Sequence, residues 1–152
     1  MDRTVTRLNL GSGAHPIDGF ANLDQTTGWR FQDGLGQYGD GTVECITISH
    51  ALMYVPEELW GDLFAEFDRV LEPGGVIRIT EDETSDPASE RFGGFDDAVT
   101  LTHPGLVAHH LAQNRLVVKQ QAATTTGFRD RSLLQAHHGR EPKVFFIEGR
   151  KP

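Results

Sequence analysis

The residues whose types suit ligand chemistry stand at the ends of apparent strands. An alternating run over 5–10 breaks directly into Gly11-Ser12-Gly13. Small residues at such a position let the backbone turn sharply and let a ligand approach its N–H groups. Asp24 ends the short run 21–24, and open α/β sheets bind ligands off the carboxyl ends of their strands. The spacing predicts a ligand site at residues 11–13, although a tight surface turn is an equally good interpretation of Gly-x-Gly alone.

Strands and helices alternate along the chain, which is typical of one mostly parallel α/β sheet. Residues 56–71 form the clearest predicted helix, with apolar side chains at three- and four-residue spacing, and a second helix is predicted over 103–114. The loop 84–102 follows a strand and is a candidate lid over a bound ligand. The predicted strands cover residues 5–10, 21–24, 29–32, 43–49, 76–80, 116–121 and 144–148, and a turn of helix is predicted at 133–134.

The three central strands alternate between apolar and polar residues. One face would carry Leu8, Leu10, Ile46, Ile48, Ile77 and Ile79, and the other Arg7, Asn9, Cys45, Thr47, Arg78 and Thr80. Right-handed crossovers place both predicted helices on one face, while the connections 13–20 and 25–28 are too short for helices that would cover the other. Because parallel sheets are normally covered on both faces, we expect either a two-fold homodimer or a wet polar face.

Length and composition indicate one globular domain spanning residues 1–152, with 38% hydrophobic and 24% charged residues. The N-terminus lacks the apolar core of a signal peptide, and no run approaches membrane-spanning length. A cytoplasmic location without membrane contact is therefore the expectation. Cys45 is the single cysteine, which excludes an internal disulfide and a cysteine metal cluster.

The charge is unevenly distributed around a net value of −8. Residues 1–114 hold 6 Lys/Arg against 19 Asp/Glu, whereas residues 115–152 hold 8 against 3. The basic end could receive an anionic partner, but pairing with the acidic remainder of the chain is the simpler interpretation. A nucleic-acid-binding protein would be expected to be basic overall, so no nucleic-acid partner is expected.

Three segments resemble the class I methyltransferases that use S-adenosylmethionine. LNLGSGAHPIDGFANLD is similar to their first glycine-rich loop and second-strand acid. TISHALMYVPEELWGDLFAEFDRVLEPGGVIRIT is similar to their fourth strand, a helix and the turn into the fifth strand, and FFIEGRKP to their closing strand. The resemblance covers most of the chain. It implies a single doubly wound, mostly parallel Rossmann-like sheet, with reduced helices on one face and an antiparallel C-terminal strand.

The resemblance also implies S-adenosylmethionine as cofactor and an unidentified methyl acceptor, expected to be a small molecule or a sugar. Backbone N–H groups of residues 11–13 would face the methionine end of the cofactor. Asp24 would accept hydrogen bonds from the ribose hydroxyls, and Asp33 would bind the adenine amino group. Ser49 and His50 would lie beneath the sulfonium. The cofactor-binding residues that the resemblance implies are Asn9, Gly11, Ser12, Gly13, Asp24, Gln25, Asp33, Gly34, Leu35, Ser49 and His50.

His50 is the candidate catalytic residue. Histidine titrates near neutral pH, and a base helps when the acceptor is a hydroxyl or a protonated amine. A packed histidine that only touches the cofactor is an equally good interpretation. No metal site is expected, because no carboxylate–histidine pattern accompanies the other histidines that were considered, namely His103, His109, His110, His137 and His138.

Two other functions were weighed against an active methyltransferase. The family commonly has an acid where Asn9 stands and a third glycine where His15 stands. The helices that normally follow the first and second strands of this family are also almost absent, which favours the alternative of a methyltransferase fold that has lost catalysis and serves as a binding or partner subunit. The presence of Gly11, Gly13, Asp24 and Asp33 favours an active enzyme. A dinucleotide oxidoreductase is disfavoured, since Pro16 stands at the sixth position of the Gly-x-Gly-x-x-Gly fingerprint and no helix is predicted after it.

Overall fold

The computed structural model describes residues 6–13, 15–82, 99–100, 102–123 and 144–152. The predicted lid is described only at residues 99, 100 and 102, and the predicted helical turn at 133–134 lies outside the described residues. No helix among the described residues is long and apolar enough to cross a membrane.

The described residues include six strands, which form one sheet in the order β2-β1-β3-β4-β6-β5. The neighbours from β2 to β4 are parallel, and β6 runs antiparallel to both β4 and β5. The predicted fold class, a mostly parallel sheet with an antiparallel C-terminal strand, is confirmed. The strands are β1 Thr6–Leu10, β2 Ala21–Leu23, β3 Val43–Ser49, β4 Leu71–Asp82, β5 Val117–Ala123 and β6 Val144–Arg150; the helices are α1 Trp60–Val70 and α2 Pro104–Gln113.

The predicted strand at residues 29–32 is wrong. This stretch leads into a 3-10 turn at Phe31–Asp33. The backbone N–H of Arg30 donates to the Asp33 carboxylate at 2.8 Å, and the N–H of Gly34 donates to the Phe31 carbonyl at 3.2 Å. A short acidic side chain that accepts from a nearby backbone N–H offers the chain an alternative to extended structure, and the alternative prevails here. Further 3-10 turns lie at Gln25–Thr27, Leu52–Tyr54 and Glu57–Leu59.

The two sheet faces differ as the alternation predicted. Both described α-helices pack over the apolar face: α1 and α2 contact each other, and an added Cβ on Gly149 would lie 3.2 Å from Leu111 of α2. On the other face, Arg7 pairs with Glu44 at 3.1 Å and Arg78 with Glu148 at 3.0 Å. The fully buried residues of the apolar face are Leu8, Leu10, Ile46, Ile48, Ile77, Ile79, Phe145 and Ile147.

A pair of asparagines holds the short connection between β1 and β2. Asn9 and Asn22 are register partners, and the Asn9 amide donates to Asn22 Oδ1 at 2.9 Å and to the His15 carbonyl at 3.2 Å. Asn22 Oδ1 also accepts from the Ile17 N–H, while its amide donates to the carbonyls of Ile17 and Phe20. Side-chain amides therefore satisfy backbone groups of a loop in which the described backbone hydrogen bonds are single turns, from the His15 N–H to the Ser12 carbonyl and from the Phe20 N–H to the Ile17 carbonyl.

Candidate functional site

A pocket of about 670 Å³ opens at the carboxyl ends of β1, β2 and β3. This is the edge at which open α/β sheets bind their ligands. Its walls come from four segments: the turn after β1, the turn after β2, the stretch 29–32 and the loop after β3. The lining residues are Gly11, Ser12, Gly13, His15, Asp24, Gln25, Thr26, Trp29, Arg30, Phe31, Gln32, Ser49, His50, Ala51, Tyr54 and Val55.

The glycine turn has geometry that requires its residue types. Gly11 has φ +68°, and its N–H donates to the Leu23 carbonyl at 2.7 Å. A Cβ at this position would lie 2.6 Å from the Ala51 Cβ. Gly13 also has a positive φ of +53°, but a Cβ there would meet nothing within 4 Å. Gly11 is thus needed for a close approach between two pocket walls, and Gly13 for backbone conformation and open space beside the pocket.

Asp24 uses one carboxylate oxygen to build its own turn. Oδ1 accepts from the Thr26 hydroxyl at 2.6 Å and from the N–H groups of Thr26 and Thr27 at 3.0 and 3.2 Å. The Thr27 hydroxyl accepts in return from the Asp24 N–H at 3.0 Å. No described group bonds to Oδ2, and the carboxylate lines the pocket although Asp24 is 8% exposed. A fixed acceptor oxygen of this kind suits hydroxyl groups of a ligand.

Two aromatic rings form the wall beside this turn. The ring centroids of Trp29 and Phe31 lie 4.8 Å apart at an angle of 59°. The Trp29 indole N–H donates to the Gly34 carbonyl at 2.9 Å, which fixes its orientation. Phe31 is half-buried, so part of its ring faces the pocket. A half-exposed ring beside polar acceptors can stack on a flat heterocyclic ligand.

His50 occupies a strained position at the end of β3. It has φ +52°, a conformation that is uncommon in residues other than glycine and that concentrates at functional sites. Its N–H donates to the Thr80 carbonyl at 2.8 Å, the last ladder-like bond before the chain leaves the sheet. The residue is 9% exposed and lines the pocket next to Ser49. The imidazole is therefore held at the site largely shielded from water.

The structure brings seven of the predicted site residues to the pocket and leaves four outside its lining. Asn9 is 1% exposed and donates to the loop 15–20, while Leu35 is fully buried in the core. The Asp33 carboxylate accepts the Arg30 N–H within its own 3-10 turn, and the Gly34 carbonyl accepts the Trp29 indole N–H. The seven that line the pocket are Gly11, Ser12, Gly13, Asp24, Gln25, Ser49 and His50.

Sequence reasoning missed the aromatic wall and the loop after β3. Trp29 and Phe31 were assigned to a strand, so their chemistry was not considered. Two aromatic residues beside a predicted ligand-binding acid were the available signal. Tyr54 and Val55 belong to the segment between a strand end and a predicted helix, where binding residues concentrate. Among the described residues, no group of three or more His, Cys, Asp or Glu side chains could hold a metal ion.

No protein-family model and no curated protein matches the sequence. Solved structures do match. A SAM-dependent methyltransferase from Methanosarcina mazei has a TM-score of 0.70 at 13% identity, over 99% of this chain and 94% of that one. The chain has the class I methyltransferase fold. A SAM-dependent methyltransferase from Archaeoglobus fulgidus gives 0.66 at 13% identity, over 98% and 87% of the two chains. The geranyl diphosphate C-methyltransferase from Streptomyces coelicolor A3(2), in complex with S-adenosyl-L-homocysteine, gives 0.65 at 12%, over 99% and 72%.

Proposed function

We propose that this protein is an S-adenosylmethionine-dependent methyltransferase whose cofactor lies in the pocket off β1, β2 and β3. The observation that supports this most directly is the arrangement of the glycine turn 11–13 opposite the Asp24 carboxylate, at the carboxyl edge of a methyltransferase-fold sheet. The structural neighbour from Streptomyces coelicolor A3(2) is a complex with S-adenosyl-L-homocysteine. A pocket of about 670 Å³ lies within the usual size range of small-molecule sites.

The chemistry of the lining fits the three parts of the cofactor. The turn 11–13 offers backbone close to the methionine end, where Gly13 leaves open space. Asp24 Oδ2 is an acceptor for the ribose hydroxyls. The half-buried ring of Phe31 would pack on the adenine, with the Gln32 amide at its edge. Asp33 lies outside the pocket lining, so we assign the adenine contacts to Phe31 and Gln32 instead.

The chain's own contribution to methyl transfer is to hold the acceptor in line and to take up its proton. When bound, the cofactor supplies an electrophilic methyl group. Positioning can account for much of the rate in such a reaction. His50, held at the pocket by its strained backbone, is the proposed base for a hydroxyl or protonated amine acceptor.

The acceptor is proposed to be a small molecule or a sugar. The proposed location is cytoplasmic, and the polar sheet face is proposed as a surface that permits a homodimer.

A binding or partner subunit without catalysis is the second candidate. The connection from Gly13 to β2 is a loop tied by Asn9 and Asn22, and its described residues, 13 and 15–20, contain no helix behind the glycine turn. A cofactor site with little support has less to keep it preorganised. Cofactor binding without methyl transfer to any of a broad panel of small acceptors would favour this alternative.

The proposal is tested by calorimetric titration of the full chain with S-adenosylmethionine and S-adenosylhomocysteine. Asp24→Asn keeps one oxygen for the 3-10 turn but replaces the pocket-facing acceptor with a donor. We expect the binding free energy for both compounds to weaken by about 1–3 kcal/mol, a loss of affinity of roughly 5- to 150-fold.

Thr27→Val is the matched control for this measurement. It removes the hydroxyl that bonds to the Asp24 backbone and weakens the same turn, yet Thr27 does not line the pocket. The affinity of Thr27→Val for both compounds should stay near that of the wild type. The proposal is wrong if the wild-type protein binds neither compound, and Asp24 has no part in binding if Asp24→Asn behaves like Thr27→Val.

A further inference from the structure

We propose that Glu81, a buried carboxylate outside the pocket lining, is a positioning residue that sets the spacing between the two main walls of the cofactor pocket. The inference rests on the proposed function and deepens it. Glu81 is fully buried near the end of β4, and no step of the proposed methyl transfer uses it. Its carboxylate instead accepts the backbone N–H of Ala51 at 2.9 Å and that of Met53 at 3.2 Å.

The need for this carboxylate arises where β3 leaves the sheet. Ser49 pairs with Thr80, and the His50 N–H still donates to the Thr80 carbonyl. The positive φ of His50 then turns the chain away, so the next backbone donors lose their partners in the parallel ladder. Ala51 and Met53 are 6% and 3% exposed, which keeps bulk water from these donors. Buried N–H groups must be paired, and Glu81 supplies one oxygen to each.

A neutral side chain could not satisfy both donors in the same way. A carboxylate presents two acceptor oxygens, whereas an amide presents one oxygen and a group that itself donates. Charged acceptors also form the stronger hydrogen bonds to backbone N–H groups. The pairing therefore fixes the loop after β3 to the end of β4 at two points, and the segment 99–100 contacts the same loop. That segment donates from Val99 and Thr100 to the Met53 carbonyl.

The held loop is itself a pocket wall that touches the other wall. Ala51, Tyr54 and Val55 line the pocket, and Ala51 packs so closely on Gly11 that no Cβ fits between them. A shift of Ala51 would therefore move the glycine turn or open a gap beside it. Through Ala51, the carboxylate of Glu81 controls both the loop that carries His50 and the turn that faces the methionine end of the cofactor.

The test compares Glu81→Gln with the wild type in calorimetric binding of S-adenosylhomocysteine and in amide hydrogen exchange resolved at Ala51 and Met53. We expect affinity to fall about tenfold, equivalent to 1.4 kcal/mol, with faster exchange at these two amides and unchanged exchange at Leu8 and Ile46. Ile79→Val is the matched control: Ile79 is fully buried on the same strand, on the helix-covered face. Ile79→Val should lower the melting temperature but leave the affinity for S-adenosylhomocysteine and the hydrogen exchange of the Ala51 and Met53 amides as in the wild type.

A purely structural role would make Glu81→Gln resemble Ile79→Val, and that result overturns the proposal. If the wild type binds no cofactor, the proposed function fails, while the exchange rates at Ala51 and Met53 still decide whether Glu81 holds the loop. If Glu81→Gln does not fold, Glu81→Asp is used, which keeps both acceptor oxygens but is shorter by one methylene. It should bind several-fold more weakly, and wild-type affinity in that variant also overturns the proposal.

Discussion

The two halves of the sheet are held together by different forces. In the helical half, α1 and α2 bury an aromatic cluster in which the Phe64 ring lies 5.7 Å from Trp60, 5.1 Å from Phe67 and 5.4 Å from His110. In the binding half, residues 6–42, the described connections are loops and 3-10 turns. Side-chain hydrogen bonds such as those of Asn22 and Asp24 hold them. Apolar burial supplies most folding free energy, so we expect the aromatic cluster to contribute mainly to stability and the polar turns of residues 6–42 to contribute mainly to the pocket.

One side chain of the helical half ties down the binding half. Arg69, in the last turn of α1, donates to the carbonyls of Leu35 and Tyr38 at 3.0 and 2.9 Å and to the Asp40 carboxylate at 2.8 Å. It also pairs with Glu66 at 2.7 Å, and this hydrogen bond lowers the pKa of the Glu66 carboxyl. Arg69 of α1 thus fixes the loop 35–40 through its hydrogen bonds. The described residues of the binding half contain no helix that could do so.

The largest expected effect is a loss of stability caused by a substitution in the helical half. Phe64→Ala removes a fully buried ring from the cluster and should destabilise the protein by about 3–5 kcal/mol. Phe31→Ala removes a half-buried ring from the pocket wall instead, so its main effect should be on S-adenosylhomocysteine affinity. Thermal unfolding and calorimetric binding below the unfolding transition measure both variants. Equal loss of affinity in both variants would contradict a separation of the two halves.

The second prediction breaks the binding half through its backbone. Gly11→Ala places a Cβ 2.6 Å from Ala51 in a left-handed conformation, and overpacking with strain should cost roughly 2–5 kcal/mol. Gly13→Ala is the matched variant, since it has the same kind of strain without the collision and should cost about 1–2 kcal/mol. Unfolding curves and cofactor titrations of the pair isolate the contact between the two walls. If the two variants behave alike, that contact does not hold the site together.

The difference between the halves also explains which features the sequence predicted. Apolar periodicity is a strong signal because a buried stripe such as Trp60, Phe64 and Phe67 must face the core. It predicts both helices, and the right-handed crossover rule predicts the face on which they lie. The alternation of strands and helices predicts the mostly parallel sheet, and the resemblance to the methyltransferases adds its antiparallel last strand and seven of the residues that line the pocket.

The features that the sequence did not predict depend on local polar hydrogen bonds. Residues 29–32 have the composition of a strand, but the bond from the Arg30 N–H to Asp33 turns the chain, and this bond also removes Asp33 from the pocket lining. Asn9 was expected at the cofactor, whereas its amide holds the loop 15–20 with Asn22. Such contacts join residues whose proximity is known only after the strands are in register. Glu81 is absent from the predicted site residues for the same reason.

The smallest expected effect concerns the border of the aromatic cluster. Burial lowers the pKa of the half-buried His110 imidazole, the nearby His109 lowers it further, and Glu57 opposes the shift. The folded state therefore binds the proton less readily than the unfolded state, whose histidine titrates at about 6.5. By linkage, the free energy of unfolding is at its full value above that pH and falls as the pH is lowered through it.

The change in the free energy of unfolding should be small, because the His110 side chain is only partly shielded. Denaturant unfolding between pH 7.5 and 5.5 measures this change as the difference between wild type and His110→Gln, since the two proteins differ only at residue 110. A wild-type slope no steeper than that of His110→Gln would show that the cluster does not resist protonation, and would place His110 in water rather than in the helical half.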